Sequence, residues 1–391
     1  MTDIYFDNSA TTKVCEEAAQ AAYQAMVNDF GNPSSLHSKG AIAAGALAEA
    51  REVMANLLRV NSGEITFTSG GSESNNMLIW GAAEALGKRV GKRMIVSAAE
   101  HPSVLEPAKH LASKGYDIQF LPVDEQGIVD LNLLATLLDR QTFLISVMQV
   151  NNETGAIQPL AEIGKMVRQL APQALFHIDG VQAFGRLPVA LEAWQADAYS
   201  LSGHKIHAPK GCGLLWLRQG WHVPAFIMGG GQERNFRSGT ENVPGIVALS
   251  VAAQKICSVR QENEIKMSGV KQALLAELAA GGLKNWQING PKAELSAPHI
   301  VNISFLEAKS EVLLHYLEQQ GIYVSSGSAC SSHSAKGSHV LTAMGLAPNL
   351  ISSALRFSFC PTNTLQEAII VAKAVVNAVS EIRMLMGIKR K

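Results

Sequence analysis

The length, composition and charge of the chain exclude several classes of protein. With 391 residues, of which 47% are hydrophobic and 17% charged, it matches a compact soluble protein that is too long for one hydrophobic core. Lysine plus arginine and aspartate plus glutamate both number 33, and the formal charge of zero argues against direct contact with nucleic acid or an anionic membrane. The low share of charged residues indicates that part of the surface is buried, for instance in a dimer.

The N-terminus and the cysteines indicate the cellular setting. Residues 1–13 lack a basic segment followed by an apolar run, and no apolar run of roughly 18 residues occurs, so we expect a cytoplasmic protein. The five cysteines are scattered without CxxC spacing, which predicts neither a disulfide framework nor a metal site. They are Cys15, Cys212, Cys257, Cys330 and Cys360.

Strand-like and helix-like segments alternate in the first part of the chain. An Ala-rich helix is predicted after Gly31–Pro33, with Ser34 or Ser35 as its N-cap. The strand-like segments are 64–68, 93–98, 117–123, 143–150, 174–179, 197–202 and 213–218. Strands joined by helices in this order predict an α/β fold with a mainly parallel sheet. Ligands of such sheets bind beyond the carboxyl ends of the strands.

The rest of the chain has fewer strands and predicts a small α+β domain. A polar, glycine-rich segment at 229–242 precedes a long helix from Pro244, and we place the domain change inside that helix. We therefore predict a large domain over 17–257 and a small domain over 258–391, to which the N-terminal arm 1–16 belongs.

A glycine-rich turn predicts an anion site. The segment TSGGSESNN at 68–76 follows a strand and begins a helix, and Gly70 and Gly71 allow close approach of a ligand. Free N–H groups and the helix dipole favour a phosphate there. The segment matches neither the P-loop nor the GxGxxG pattern.

Polar side chains follow several of the predicted strands. His101 and Asn152 come just after strands, Asp179 ends a strand, and Gln182 follows it by three residues. A lone histidine is more often structural than catalytic, but these positions share the ligand-binding edge of the sheet. A buried aspartate there needs a cationic partner, for which a protonated pyridine nitrogen is suited.

Lys205 is presented by the segment DAYSLSGHKIHAPKGCG at 197–213. The small residues before it suit an amine that forms a Schiff base with an aldehyde cofactor, although this segment alone also fits an ordinary surface lysine. An anion site, a strand-end aspartate, a glutamine and a lysine on one crevice are together the groups that pyridoxal 5′-phosphate requires.

The motifs resemble those of the NifS/IscS cysteine desulfurases of group I, which are class V aminotransferase-like enzymes. They are NSATT (8–12), GNPSSLHSKG (31–40), TSGGSESNN, NNETG (151–155), HIDGVQ (177–182), SLSGHKIHAPKG (200–211), RSGTEN (237–242) and SSGSACSS (325–332). The resemblance runs from Phe6 to about Arg356. It implies the pyridoxal-phosphate-dependent fold type I, with a mainly parallel seven-stranded sheet and a small α+β domain, and a homodimer.

The resemblance also implies residue roles. Lys205 would form the Schiff base, Asp179 would face the pyridine nitrogen, Gln182 the ring oxygen, and His101 would stack on the ring. The phosphate would be held by Gly71, Ser72, Ser202, His204 and Thr240 of the partner subunit. Asn152 and Arg356 would hold the substrate, because arginine suits bidentate binding of a carboxylate. Ser72 departs from the usual threonine of the family but keeps the hydroxyl.

The same resemblance makes Cys330 the cysteine that receives sulfur. It lies in the Ser- and Gly-rich segment 325–339, which we predict to be a mobile loop. The implied reaction converts L-cysteine to L-alanine with a persulfide on Cys330, which is passed to an acceptor protein such as an iron–sulfur scaffold or a tRNA-thiolation enzyme. His333 lies close in sequence and is interpreted as a solvated loop histidine.

Two other interpretations stay open at this point. Another enzyme of the same fold, such as a selenocysteine lyase or an aminotransferase, would share the cofactor site, but a transaminase would not need Cys330. The chain could instead be a scaffold or sulfur-carrier protein that has lost catalysis, but the presence of Lys205, Asp179 and Cys330 argues against it. Absence of a yellow cofactor in the pure protein would favour this alternative.

Overall fold

A computed structural model describes residues 3–292, 295–327 and 337–387. Cys330 and His333 lie outside the described residues, as does most of the predicted loop 325–339. The strands are β1 (Ile4–Tyr5), β2 (Ile65–Thr68), β3 (Arg93–Ser97), β4 (Asp117–Leu121), β5 (Thr142–Met148), β6 (Leu175–Asp179), β7 (Ala198–Ser202), β8 (Gly213–Leu217), β9 (Trp286–Ile288), β10 (Ile300–Phe305), β11 (Ile322–Tyr323) and β12 (Ala354–Ser358).

The central sheet has seven strands in the order β2-β8-β7-β6-β5-β3-β4. The strands run parallel except β8, which is antiparallel to both of its neighbours. Every residue of β5 is buried, as expected of an apolar strand that is covered on both faces. The predicted α/β fold with a mainly parallel, seven-stranded sheet is confirmed.

Helices cover this sheet and build the second part of the chain. They are α1 (Glu16–Val27), α2 (Ser38–Leu58), α3 (Gly71–Leu86), α4 (Pro102–Ser113), α5 (Leu131–Leu137), α6 (Leu160–Leu170), α7 (Val243–Ser258), α8 (Arg260–Ala280), α9 (Ser310–Glu318), α10 (His339–Ala343), α11 (Pro348–Ile351) and α12 (Leu365–Leu385). Among the described helices, none is by itself long and apolar enough to cross a membrane, and α7 with α8 meets that criterion only as a pair bent by 74°.

The predicted N-cap of α2 is wrong. The helix begins at Ser38, and the ring of His37 accepts the hydrogen bond from the Gly40 N–H. Ser34 and Ser35 are instead held in a turn, because both of their N–H groups donate to Asn32. The capping role passes to His37, two residues after that turn.

Two large hydrophobic cores divide most of the chain between them. The first packs α2, α6 and α7 against one face of the central sheet, and a smaller cluster packs α3 and α4 against the other. The second joins α8 and α12 to β10 and β12, and it also takes Ile4 and Phe6 from the N-terminal arm. The first core in turn includes Val340 and Leu341 of α10, so the chain returns to the sheet before β12 and α12 complete the second core. The domain limits 17–257 and 258–391 stay a prediction.

His177 connects three strands in the middle of the sheet. It lies on β6, and its ring nitrogens contact the hydroxyl of Ser146 on β5 at 2.8 Å and that of Ser200 on β7 at 2.9 Å. Burial lowers the pKa of His177 to about 3. The native state therefore holds this ring neutral across a pH range in which an unfolded chain would protonate it, since an exposed histidine has a pKa of about 6.5.

We expect His177 to make the protein sensitive to acid. The unfolded state binds the additional proton below about pH 6.5, so stability is complete above that pH and falls as the pH decreases toward 3, by up to about 1.4 kcal/mol per pH unit. Denaturant unfolding of the wild type and of His177→Gln between pH 7.5 and 5 measures this. The variant should lose stability less steeply, and parallel slopes for the two proteins would contradict the assignment.

Candidate active site

The predicted site residues follow strands at one edge of the central sheet. Gly71 and Ser72 begin α3 after β2, and His101 lies between β3 and α4. Asn152 follows β5, and Asp179 ends β6. Ser202 ends β7, and His204 and Lys205 come directly after it. Because parallel strands end at the same edge, side chains far apart in sequence line one crevice. A cleft of about 800 Å³ beside this edge is lined by Ser72, His101 and side chains of α3 and α4.

Asp179 is a buried carboxylate held by neutral donors. It is 5% exposed. Its Oδ2 accepts a hydrogen bond from Asn75 Nδ2 at 2.8 Å, and its Oδ1 accepts one from the Val181 N–H at 3.0 Å. Within the described ranges, no basic side chain lies within ion-pair distance of it. A carboxylate in this setting favours a cationic ligand, because an uncompensated buried charge is costly.

Sequence reasoning missed Asn75 and Ser103, which join Asp179 to His101. Asn75 Nδ2 also donates to Ser103 Oγ at 2.9 Å, and Ser103 Oγ contacts His101 Nδ1 at 2.8 Å. The only sequence signal is that Asn75 lies one helical turn after Gly71. Asn75 Oδ1 is buried and has no partner among the described residues. This oxygen can therefore accept a hydrogen bond from a ligand in the site.

His101 is neutral at neutral pH. Burial lowers its pKa, as do the nearby Lys205 and His339, while Asp179 acts in the opposite direction. The N–H of Ser103 donates to His101 Nδ1 at 3.1 Å, so this nitrogen is an acceptor and the proton resides on Nε2.

Glu100 adds a second buried acid that the sequence analysis did not single out. Burial raises the pKa of Glu100 well above its usual range, and the charge of Asp179 raises it further. Its Oε1 accepts a hydrogen bond from the Met148 N–H at 2.6 Å. The raised pKa favours the neutral form of Glu100 beside the charge of Asp179.

The start of α3 is shaped to admit a ligand close to the backbone. Gly70 has a φ of 151°, and a Cβ on Gly71 would lie 2.6 Å from the side chain of Val181. A Cβ on Gly70 would lie 3.4 Å from Ser202 Oγ, so the serine faces the helix N-terminus. Ser72 is exposed at the cleft. Free N–H groups, a helix dipole and hydroxyls at one point form an anion site.

Lys205 ends a short 3-10 turn, Gly203–Lys205, and points toward the N-terminal arm. Its Nζ donates to the carbonyl oxygens of Ser9 at 2.6 Å and Ala10 at 2.8 Å. The adjacent His204 contacts the hydroxyl of Thr11, and burial together with the charge of Lys205 lowers the pKa of His204 to about 4. The arm is therefore part of the site, which its sequence did not indicate.

Gln182 and Arg356 line the same crevice. Gln182 Nε2 donates to the Ser9 carbonyl at 3.0 Å. Arg356, on β12, is 1% exposed and donates from Nη1 to the Asn152 carbonyl at 2.9 Å, while its Nη2 pairs with Asp7 at 2.7 Å. Within the described chain, Arg356 Nε and Asn152 Oδ1 are buried without partners. The structure thus brings Asn152 and Arg356 together and adds Asp7, which sequence reasoning missed.

Thr240 and Cys330 are the two predicted site residues that these contacts do not include. Thr240 is exposed, in a segment anchored to α3 by an ion pair between Arg237 and Glu73 at 2.8 Å. Cys330 lies outside the described residues.

Known proteins match this chain over nearly its whole length. The pattern of the aminotransferase class-V family matches residues 4–370. The chain is 39% identical over 389 residues to a cysteine desulfurase of Trichormus azollae, an alignment that covers 100% of this chain and 96% of that protein. The chain belongs to the aminotransferase class-V family and, within it, to the cysteine desulfurases.

Two further comparisons agree with this family. The cysteine desulfurase IscS of Methanosarcina thermophila is 39% identical over 380 residues, which cover 97% of this chain and 93% of that protein. The structure of a NifS-like protein superposes with a TM-score of 0.91 at 36% identity, covering 97% of this chain and all of that one. The resemblance inferred from the motifs is confirmed, and pyridoxal phosphate is the cofactor of a cysteine desulfurase of this family.

For this cysteine desulfurase we expect Asn75→Ala to weaken cofactor binding about tenfold or more, because a hydrogen bond to a buried charged group contributes about 1.5–3 kcal/mol. Titration of the apoenzyme with pyridoxal phosphate, followed by absorbance, gives the dissociation constant. Asn289→Ala is a matched control, since Asn289 is also buried and hydrogen-bonded but belongs to the three-stranded sheet of β9, β10 and β12. Equal losses in the two variants would show that Asn75 only stabilises the fold.

Proposed function

We propose that this enzyme converts L-cysteine to L-alanine and transfers the substrate sulfur to Cys330, which becomes a persulfide. The observation that carries the proposal is the polarity of the crevice. Asp179, a buried carboxylate with no basic partner among the described residues, lies at one end, and Lys205 lies at the end of the neighbouring strand. The family of the chain supports the reaction type.

The described residues fit pyridoxal phosphate at each of its polar groups. The start of α3, together with Ser202, suits the phosphate because the helix presents free N–H groups there. Position 71 has to be glycine, since a larger side chain would meet Val181. Asp179 suits the pyridine nitrogen, because the carboxylate otherwise has only neutral partners. Gln182 suits the ring oxygen, and His101, neutral at neutral pH, suits the face of the ring.

When bound, the cofactor supplies an aldehyde that links covalently to an amine and a pyridine ring that accepts an electron pair from Cα. Asp179 would keep the ring nitrogen protonated, because a carboxylate at this position stabilises positive charge. Lys205 would hold the cofactor through its Nζ, and the same amine is the residue suited to take the Cα proton.

Arg356 and Asn152 hold the substrate in this proposal. The buried Nε of Arg356 and the buried Oδ1 of Asn152 have no partner in the described part of the chain, so both have capacity for a ligand. The bond of Arg356 to Asp7 orients the guanidinium toward the crevice. Arginine binds a carboxylate through a planar fork of donors, which fixes the substrate at Cα.

The sulfur transfer is balanced without an added reductant. The thiolate of Cys330 attacks the substrate sulfur, so a sulfur–sulfur bond forms while the bond between the substrate sulfur and Cβ breaks. The electron pair of the broken bond remains on the carbon skeleton, which takes up protons and leaves as alanine. Cβ is reduced, the Cys330 sulfur is oxidised, and an acceptor protein then removes the outer sulfur. His101 is our candidate for proton exchange with the substrate thiol, through Nε2.

The cellular setting completes the proposal. We infer a homodimer in which Thr240 of the partner subunit reaches the phosphate. The exposed apolar side chains of Tyr23, Met26, Phe30 and Leu36 support a surface that a second copy would cover. The persulfide would pass to an iron–sulfur scaffold or a tRNA-thiolation enzyme in the cytoplasm.

Single-turnover reaction with L-cysteine tests the proposed function. The reductant-free wild type should form about one alanine per subunit and add one sulfur to the peptide that contains Cys330, because the thiolate of that residue is the acceptor. Cys330→Ser should retain the bound cofactor but form no alanine beyond background. Lys205→Ala should lose the absorbance of the covalently linked cofactor, because no other lysine follows β7 at this position.

Cys257→Ser is the matched control, since Cys257 is a partly buried cysteine of α7 outside the site, and it should react like the wild type. Alanine formation that persists in Cys330→Ser with a reductant would remove Cys330 from the mechanism. A bound cofactor with neither alanine nor added sulfur in the wild type would indicate a different reaction.

A further inference from the structure

Arg186 is a fully buried arginine beneath the cofactor site. It lies between β6 and β7, is 2% exposed, and has no assigned role in the reaction proposed above. Its Nη1 donates to Gln182 Oε1 at 2.9 Å. Its Nη2 donates to the carbonyl of Lys205 at 2.8 Å and lies 3.4 Å from that of Asn8.

These contacts are unusual because the partners are neutral. In the described part of the chain, the guanidinium hydrogen bonds of Arg186 all end on amide or carbonyl oxygens. Burial lowers the pKa of Arg186 to about 10, so the side chain stays charged at neutral pH. An apolar side chain of similar size would stabilise a core at least as well, so a buried cation at this position indicates a function beyond packing.

The contact with Gln182 decides which way the amide of that residue faces. A guanidinium has donors but no acceptor, so the group that it contacts must be the amide oxygen. With Oε1 bonded to Arg186 and one N–H bonded to the Ser9 carbonyl, the second N–H of Gln182 Nε2 remains for a ligand. Gln182 therefore presents a donor to the crevice rather than an acceptor.

The second guanidinium nitrogen acts on the turn that carries Lys205. Arg186 Nη2 holds the Lys205 carbonyl, while Lys205 Nζ bonds the carbonyls of Ser9 and Ala10. One buried cation thus fixes the backbone of Lys205 and the amide of Gln182 relative to each other.

We propose that Arg186 is a positioning residue that turns the Gln182 amide so that its N–H donates to the ring oxygen of the cofactor. The inference rests on the proposed function, in which Gln182 faces that oxygen. A donor at the ring oxygen stabilises its ionised form, so the proton shared between this oxygen and the Lys205 nitrogen leaves at lower pH. Losing the donor, or losing the nearby positive charge, moves this titration to higher pH.

Other titratable groups also lie near Arg186. His204, His207 and His299 lie near it, and burial is the main cause that lowers the pKa of each. Lys271 faces His299, and burial lowers the pKa of Lys271 to about 8. Cys360 also faces the guanidinium. The cofactor absorbance reports the ring itself and separates its titration from these groups.

The test is a pH titration of the cofactor absorbance of the holoenzyme. We expect Arg186→Met to raise the midpoint by about one pH unit, a tenfold change in proton affinity. Gln182→Leu should raise it similarly, and the double variant should add little to either single change, because both remove the same hydrogen bond. Arg186→Lys, which keeps a charge, should restore part of the shift.

Arg383→Met is the matched control, because this guanidinium also bonds backbone carbonyls, those of Lys284, Asn285 and Leu306, far from the cofactor site. It should titrate like the wild type. A wild-type midpoint in Arg186→Met, or shifts that add in full in the double variant, would overturn the proposal. If Arg186→Met does not fold, Arg186→Gln carries the same expectation, since its shorter amide cannot reach both Gln182 and the Lys205 carbonyl.

Alanine formation by the wild type separates this inference from the proposed function. A wild type that forms no alanine but shows the shift in Arg186→Met contradicts the reaction and supports the role of Arg186. A wild type that forms alanine while Arg186→Met keeps its midpoint contradicts the role of Arg186 alone.

Discussion

The buried carboxylate of Asp179 is the constraint on which the rest of the site depends. It is held by the Asn75 amide and a backbone N–H, and neither neutralises its charge. Glu100 lies nearby, and burial and the charge of Asp179 raise its pKa well above its usual range. Asp179 therefore places a buried negative charge at the strand ends, which a ligand with a positive ring nitrogen would compensate.

Two basic side chains lie at the other side of the crevice, where carbonyl oxygens of the N-terminal arm face them. The carbonyl oxygens of Ser9 and Ala10 accept hydrogen bonds from Lys205 Nζ, and that of Asn8 faces the buried guanidinium of Arg186. Carbonyl oxygens solvate a cation but carry no net charge, so these contacts do not neutralise it. The polarity of the crevice, negative near Asp179 and positive near the arm, matches a cofactor with a cationic ring nitrogen and an anionic ring oxygen.

The N-terminal arm also connects the second hydrophobic core to the candidate site at the sheet. Ile4 and Phe6 pack into the second core, and Ser9 bonds Ser358 at the end of β12. Asp7 pairs with Arg356 of the same strand. The residues proposed to hold the substrate and those proposed to hold the cofactor are thus connected by a few consecutive residues, and a shift of the arm would move both.

The sequence by itself determined the class of fold and the residues that end its strands. Alternation of apolar strands with helices predicts a parallel sheet, and such a sheet brings Gly71, His101, Asp179 and Lys205 to one edge whatever the details of packing. The motifs around these residues were sufficient to indicate the family. Tertiary structure alone decided the contacts of Asn75, Arg186 and Asp7, because each bonds a group that is distant in sequence, as Asn75 and Asp179 are 104 residues apart. Local periodicity carries no information about such pairs, and their geometry follows only from how the arm, the sheet and the second core pack together.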